Sequence, residues 1–266
     1  MRTILLTGAS GYLGQHFKRY YINSGWQVIT LGRRVEDDIF WDAQVRRTIS
    51  ASDFSCPIDR IVHCAAVNET MIKKSSETTF DVNVTLTRTL CNLAIELDVK
   101  EFIYISTFHV YGVSSGTVGP DAICSPINDY GLTHYLSEEI LRNTLPRAQI
   151  ATLCLRPTNI YGIPQDMTIF DRWSLVPFDF IKKAMEEGCI RLLTAGTQER
   201  NFVDVCNVVQ AEPPQSGFEV RDVYGNDTLT IAAFAGLVAD VIKEVHQLDI
   251  RIEKTNDLKQ GVSNSG

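Results

Sequence analysis

No apolar run in the sequence approaches the roughly 20 residues that a membrane-spanning helix needs. No basic stripe offers a surface to a nucleic acid or an anionic membrane. The 266 residues carry a formal charge of −7, so neither a nucleic acid nor a membrane is expected as a partner. Disulfide and zinc frameworks are missing too. The seven cysteines (Cys56, Cys64, Cys91, Cys124, Cys154, Cys189, Cys206) are odd in number and form no CxxC pair. That usage fits reduced thiols in a cytosolic protein, with no metal site expected. Met1-Arg2 runs directly into ILLTGAS, too short and too strand-like for a secretion signal, so a cytoplasmic location is expected. There is no internal repeat and no interdomain linker.

What is present reads as a globular α/β chain. Hydrophobic residues make up 44% and charged residues 21%, enough apolar material for a substantial core. Strand-like runs alternate with helix-like segments. TILLTG (3–8), WQVITLG (26–32), DRIVHCAA (59–66), EFIYIST (101–107) and ATLCLRP (151–157) read as strands. Segments 12–25, 76–97 and 130–145 have helical spacing. This alternation implies a doubly wound parallel sheet covered by helices on both faces. A first domain is expected over 1–157. A mixed lobe should follow over 158–255, with helices at 178–188 and 229–245 and some elements returning to the sheet. Residues 256–266 are polar and Gly/Ser-rich, and fraying is expected there. The lobe is expected over the carboxyl ends of the strands, where open α/β sheets bind ligands.

TGASGYLG (7–14) follows the first strand and opens the first helix. Gly8, Gly11 and Gly14 allow a tight turn, close backbone approach to a pyrophosphate and tight helix–strand packing. The helix N-terminus then offers free N–H groups to an anion. No Lys-Ser/Thr follows the last glycine, so a P-loop is excluded. A dinucleotide is the expected ligand, with Ser10, Tyr12 and Leu13 in the same loop. The second strand ends in TLGRRVED. Arg33 and Arg34 occupy the turn where an acid would bond the ribose of NAD, which favours NADP over NAD. A solvated basic turn, with Glu36 or Asp37 as the actual selector, is the competing reading. Asp42 is a candidate for the adenine edge.

In order along the chain, these segments resemble the extended short-chain dehydrogenase/reductases of the NAD-dependent epimerase/dehydratase type. TGASGYLG resembles the family's TGxxGxxG loop. HCAA (63–66) resembles its HxAA strand end, and Asn83 in DVNVTLTRTL matches its helix asparagine. YISTFHVYG (104–112) resembles the Ser-Ser/Thr-xxx-VYG stretch. Tyr130 and Glu138 match the YxxxK…E helix. RPTNIYG (156–162) resembles RPxNVYG, and ERNFVDV (199–205) resembles the stretch whose arginine binds a nucleotide-sugar diphosphate. The resemblance covers roughly residues 3–236.

It implies a Rossmann domain binding NADP or NAD, a lobe binding a nucleoside-diphosphate sugar, and a homodimer. Ala65, Ala66, Asn83 and Pro157 would line the cofactor. Thr107 and Tyr130 would act on one substrate oxygen, Tyr130 as acid/base. Asn159 and Arg200 would contact the substrate. Epimerase, dehydratase and 4-keto reductase chemistry all remain open, as does reduction of a non-sugar carbonyl.

Two departures stand out. The family lysine four residues after the tyrosine is His134 here. Phenol titrates near 10, and a base at neutral pH needs a nearby positive charge that imidazole carries only in part. His134 is therefore an imperfect substitute, or part of another arrangement in which oxidised nicotinamide supplies the positive charge, or the mark of a protein that binds a dinucleotide without turning over. Prolines 213 and 214 also cut short the helix that should follow Val205.

Overall fold

The computed structural model describes residues 1–42, 48–67, 72, 76–113, 117–119 and 121–254. The tail expected to fray, 256–266, lies outside these residues. The chain divides into two compact units. The first comprises residues 1–158, 162–170 and 204–223, the second 159–161, 171–203 and 224–266.

The elements run in the order β1 (Thr3–Thr7), α1 (Tyr12–Asn23), β2 (Gln27–Gly32), β3 (Ile39–Phe40), β4 (Arg60–His63), α2 (Ser76–Phe80), α3 (Leu86–Glu96) and β5 (Glu101–Ile105). They continue with α4 (Asp129–Thr144), β6 (Ala151–Pro157), β7 (Asn159–Tyr161), α5 (Val176–Glu187), β8 (Cys189–Leu192) and β9 (Glu199–Asp204). The last are α6 (Val205–Val209), β10 (Phe218–Val223), β11 (Asp227–Thr230), α7 (Ile231–His246) and β12 (Arg251–Lys254).

The first unit is built on a seven-stranded sheet in the order β10-β6-β5-β4-β1-β2-β3. Every pairing in it is parallel, as the βαβ alternation requires. This is a Rossmann-type fold. The chain winds from β1 outward to β3, then crosses back to lay β4 on the other side of β1. That reversal is the topological switch point, the place where such sheets take ligands at their carboxyl ends.

Strand register explains the core. Leu5 pairs with Ile61 and Ile61 with Phe102, while Tyr104 pairs with Cys154. All five are fully buried with Leu86, Leu90 and Leu93 of α3 and Leu141 of α4. Each such aliphatic side chain contributes about 1.5–3 kcal/mol of burial. β10 joins the sheet after α6, which has only five residues before the Glu212-Pro213-Pro214 stretch.

The second unit holds a three-stranded sheet in the order β11-β9-β7 and a β12-β8 pair. Its core packs Phe180 and Ala184 of α5 and Ile190 and Leu192 of β8 with Ala235, Val238 and Ile242 of α7. Among the described residues, no helix is long and apolar enough to cross a membrane.

Candidate active site

The glycine loop sits at the switch point. Gly8 has φ of +69°, and a Cβ there would come within 2.7 Å of Ala65 N on the segment after β4. A Cβ on Gly14 would meet the Gly8 carbonyl oxygen at 2.0 Å. Both positions need the missing side chain, Gly8 for conformation as well as space. Gly11 is the N-cap of α1 without a side-chain cap, and the first turn carries no acid. The leading N–H groups of α1 are thus left for an anion, and the helix dipole favours one.

Ala65 N donates to Thr7 Oγ1 at 3.1 Å, fixing the β4 end against the β1 end. Ser10 and Leu13 are half-buried in this loop and Ala66 is exposed. Tyr12 is buried, donates to the Gly162 carbonyl at 3.0 Å and crosses Phe170 edge-on. Its backbone, not its phenol, is what the loop presents. A cradle made of backbone, with no acid in the first turn of its helix, fits a dinucleotide pyrophosphate.

At the end of β2, Arg33 and Arg34 are exposed. The sequence places no acid before them, yet one folds back from beyond. Asp37 Oδ2 accepts the Arg34 N–H at 2.9 Å and lies where a Gly32 Cβ would be, 2.3 Å away. Asp38 is turned away, its Oδ2 accepting from Thr30 N and Oγ1. Asp42 is half-buried just after the buried Trp41.

Asn83 is buried with both ends of its amide engaged. Oδ1 accepts from Val67 N at 2.7 Å and Nδ2 donates to Thr133 Oγ1 at 3.0 Å. It therefore clamps the segment after β4 to α4. A π-helical turn at Asp81–Thr85 carries it between α2 and α3, and such bulges often mark functional positions. Pro157 closes β6 and is buried, paired in register with Val223.

β5 ends at Ile105, and the chain turns into a 3-10 segment over Phe108–Tyr111. This shortens the strand expected over 101–107 by two residues. Thr107 caps the turn: its Oγ1 accepts the His109 N–H at 3.3 Å, and the residue is 6% exposed. With an N–H already on the oxygen, the Thr107 hydroxyl keeps its own proton to donate. The turn brings the His109 ring to 5.5 Å from Tyr130, at 77°.

Tyr130 lies in the first turn of α4, which Asn128 caps through Oδ1 to Gly131 N at 2.9 Å. The half-buried Tyr130 ring meets the His134 ring at 4.7 Å and 72°, the one-turn spacing expected on a helix. His134 is 1% exposed. Its Nδ1 shares a 2.8 Å hydrogen bond with the Tyr104 hydroxyl of β5, while Nε2 is buried without a hydrogen-bond partner among the described residues. Burial, reinforced by the nearby charge of His109, pushes its pKa down to about 3. Burial also raises the Tyr104 phenol well above its usual range. His134 is therefore neutral at any physiological pH and brings no charge to Tyr130. His63 is likewise buried and pushed down to about 3, first by burial and then by His134. Its ring nitrogens meet Thr7 Oγ1 at 2.7 Å and Thr87 Oγ1 at 3.0 Å.

Behind this face runs an ionic network with no counterpart in the sequence reading. Arg156 grips Glu138 with two hydrogen bonds, Nε to Oε1 at 2.9 Å and Nη2 to Oε2 at 2.5 Å. Ser106 Oγ also donates to Glu138. Arg156 Nη1 donates to the Tyr111 hydroxyl at 2.7 Å, and that hydroxyl donates on to Asp222. The network ties α4, β6, β10 and the 3-10 turn together, so Thr107 and Tyr130 stand on braced elements.

In the second unit, Asn159 Nδ2 donates to the Asn201 carbonyl at 3.0 Å, joining β7 to β9. Arg200, half-buried on β9, donates to the Glu199 carbonyl at 2.8 Å.

A family model described as the NAD dependent epimerase/dehydratase family matches residues 4–212. A dTDP-4-dehydro-6-deoxy-D-allose reductase from a Streptomyces species is 27% identical, covering 91% of this chain and 81% of its own length. The solved structure of MoeE5 in complex with UDP-glucuronic acid and NAD superposes with a TM-score of 0.78 at 21% identity. It covers 95% of this chain and 85% of its own. UDP-glucuronic acid 4-epimerase from Bacillus cereus, solved with UDP-glucuronic acid and NAD, gives a TM-score of 0.74 at 20% identity, with the same coverages. At these identities the structural likenesses bear on the fold.

Proposed function

Because the chain belongs to the NAD-dependent epimerase/dehydratase family, we propose that it acts on a nucleotide sugar by hydride transfer, as an epimerase, dehydratase or 4-keto reductase. The observation that carries this reading is Thr107 and Tyr130 standing, on braced elements, at the carboxyl ends of the same sheet whose β1 loop forms the anion cradle. Gly8, Gly11, Gly14 and the backbone at Ser10, Tyr12 and Leu13 would hold the pyrophosphate. A bound nicotinamide would supply or accept the hydride. Tyr130 exchanges the proton of the reacting hydroxyl, and the Thr107 hydroxyl donates to the same oxygen. Asn159 and Arg200 take the diphosphate sugar, a guanidinium being suited to bidentate phosphate contact.

Arg33 and Arg34 support NADP over NAD. Both are exposed in the turn after β2, which the Asp37 carboxylate closes by accepting the Arg34 N–H. Exposed Phe80 on α2 and Leu136 on α4 support pairing of two copies through these helices.

A second reading is favoured by one observation, the neutral, buried His134. With no charge supplied by His134, the protein would bind a dinucleotide without turnover. Mass spectrometry of the small molecules released on denaturation, followed by titration with NADP and NAD, tests both. A released or tightly bound dinucleotide together with a nucleotide sugar supports the enzyme. Binding of neither sinks it, and NAD binding at least as tightly as NADP overturns the cofactor preference. Turnover that rises at least about tenfold in His134→Lys, the yield of one pH unit at Tyr130, favours the enzyme over the silent binder.

A further inference from the structure

Tyr104 of β5 is wedged between two imidazoles. Its ring lies 5.3 Å from that of His63 and 5.8 Å from that of His134, tilted by 37° and 34°. Both ring nitrogens of His63 are already bonded, to Thr7 and Thr87. Nδ1 of His134 instead lies 2.8 Å from the phenol oxygen. We propose that Tyr104 is a positioning residue of the site: by donating to Nδ1 it holds the ring hydrogen of His134 on Nε2, so that His134 acts as a neutral donor and not as a base. This deepens the reading of the α4 face as the site of proton exchange, and rests on it.

The direction of the bond decides the role of the imidazole. Tyr104 and His134 are both buried. Burial keeps the phenol protonated and the imidazole neutral, so a single hydrogen lies between them. If the phenol donates, Nε2 carries the ring hydrogen. If the imidazole donates, Nε2 keeps a lone pair, and the phenol must turn its own hydrogen to Ser137, which lies beside it.

Ser137 is the poorer acceptor. Its Oγ donates to the Asn83 carbonyl at 2.6 Å, with the Thr133 carbonyl at 2.9 Å. An aliphatic hydroxyl oxygen is also a far weaker base than an imidazole nitrogen, whose conjugate acid titrates near 6.5. The phenol hydrogen therefore goes to Nδ1.

Nε2 is buried and has no hydrogen-bond partner among the described residues. A buried N–H without an acceptor carries a desolvation cost that an acceptor oxygen removes. Toward such an oxygen His134 has a hydrogen to give. Toward a proton it has nothing, because Tyr104 occupies the lone pair of Nδ1 and Nε2 already carries a hydrogen. His134 stands one helical turn from Tyr130, with 4.7 Å between ring centroids. Even so, it cannot draw the proton from that phenol, as an imidazole with a free lone pair would.

The test is a long-range proton–nitrogen correlation spectrum of the histidine-labelled, ligand-free protein at pH 7. It separates a ring nitrogen that carries hydrogen from one that carries a lone pair. His134 should show Nε2 as the protonated nitrogen and Nδ1 as the bare one. In Tyr104→Phe the Nδ1 resonance should move downfield, to the position of a lone pair without a donor. Loss of a tyrosine that only packs would leave that resonance in place. A hydrogen on Nδ1 in the wild type would overturn the proposal, whether or not the variant folds. An unmoved Nδ1 resonance in a Tyr104→Phe protein with a native far-ultraviolet spectrum would overturn it too. No dinucleotide or sugar enters the measurement, so its failure is distinct from failure of the proposed function.

Discussion

At the end of β1 the positioning is done by backbone, and side chains are kept out. Gly8 and Gly14 leave the space that Ala65 and the Gly8 carbonyl fill, and α1 begins with neither a side-chain cap nor an acid. On α4 the arrangement is reversed. There, buried polar side chains do the work: His134 against Tyr104, Asn83 against Thr133, and Glu138 in the grip of Arg156. The loop is a site that tolerates no additions, while the helix face is one that tolerates no deletions. The first kind of site binds whatever anion fits a generic cradle. The second fixes the protonation state of each group, and it has fixed His134 as neutral.

The sharpest way to break this contrast is on the helix face. Glu138 is fully buried and Arg156 is 6% exposed. Glu138→Ala would leave a guanidinium without its carboxylate, at a cost of about 3–5 kcal/mol. Chemical denaturation should register that loss, and a cost below about 1 kcal/mol would mean that water already reaches the pair.

Acid should act on the same face. His63 and His134 are held at about 3 in the folded protein against 6.5 for a free imidazole. Above pH 6.5 neither the folded nor the unfolded chain takes up these protons. Between 6.5 and about 3 only the unfolded chain does, so stability falls as the pH drops through that window. At pH 5 the loss is about 2 kcal/mol for each histidine, from 1.36 kcal/mol per pH unit. Denaturation curves at pH 7 and pH 5 should separate by about 4 kcal/mol for the two together, from 1.36 kcal/mol per pH unit, and His63→Asn should narrow the gap.

On the loop side, Gly14→Ala should cost about 1–3 kcal/mol through overcrowding and abolish dinucleotide binding, while leaving the acid sensitivity unchanged. If the substitution also changed the pH dependence, the two regions would not be independent.

The same contrast explains what the sequence made legible. A glycine triplet after an apolar run encodes its own constraint, because the limits on φ and on space are local. The parallel order of the sheet followed from the βαβ rhythm in the same way. Tyr130 and His134 were readable as neighbours because helix spacing is local too. The partner of His134 was not. Tyr104 sits thirty residues earlier on β5, and only packing of α4 on that strand brings its hydroxyl to Nδ1. Asp37 was weighed as a selector only in the alternative reading, since nothing in the sequence says that the turn folds its carboxylate over Gly32. The turn at Phe108–Tyr111 went unread because β5 stops at Ile105, before Thr107 caps that turn. β10 went unread as a strand because it joins the sheet from beyond the Pro213-Pro214 break.

The central claim is that the family's permanent cation has been replaced here by an uncharged imidazole. Nuclear magnetic resonance of histidine-labelled protein measures this directly, following the His134 ring carbons and nitrogens as the pH is lowered, with a His134→Gln variant for assignment. The expected result is a neutral ring that holds one tautomer down to pH 5, as long as the protein stays folded. A His134 that titrates near or above 6.5 would contradict the claim and return the role of the lysine to this residue.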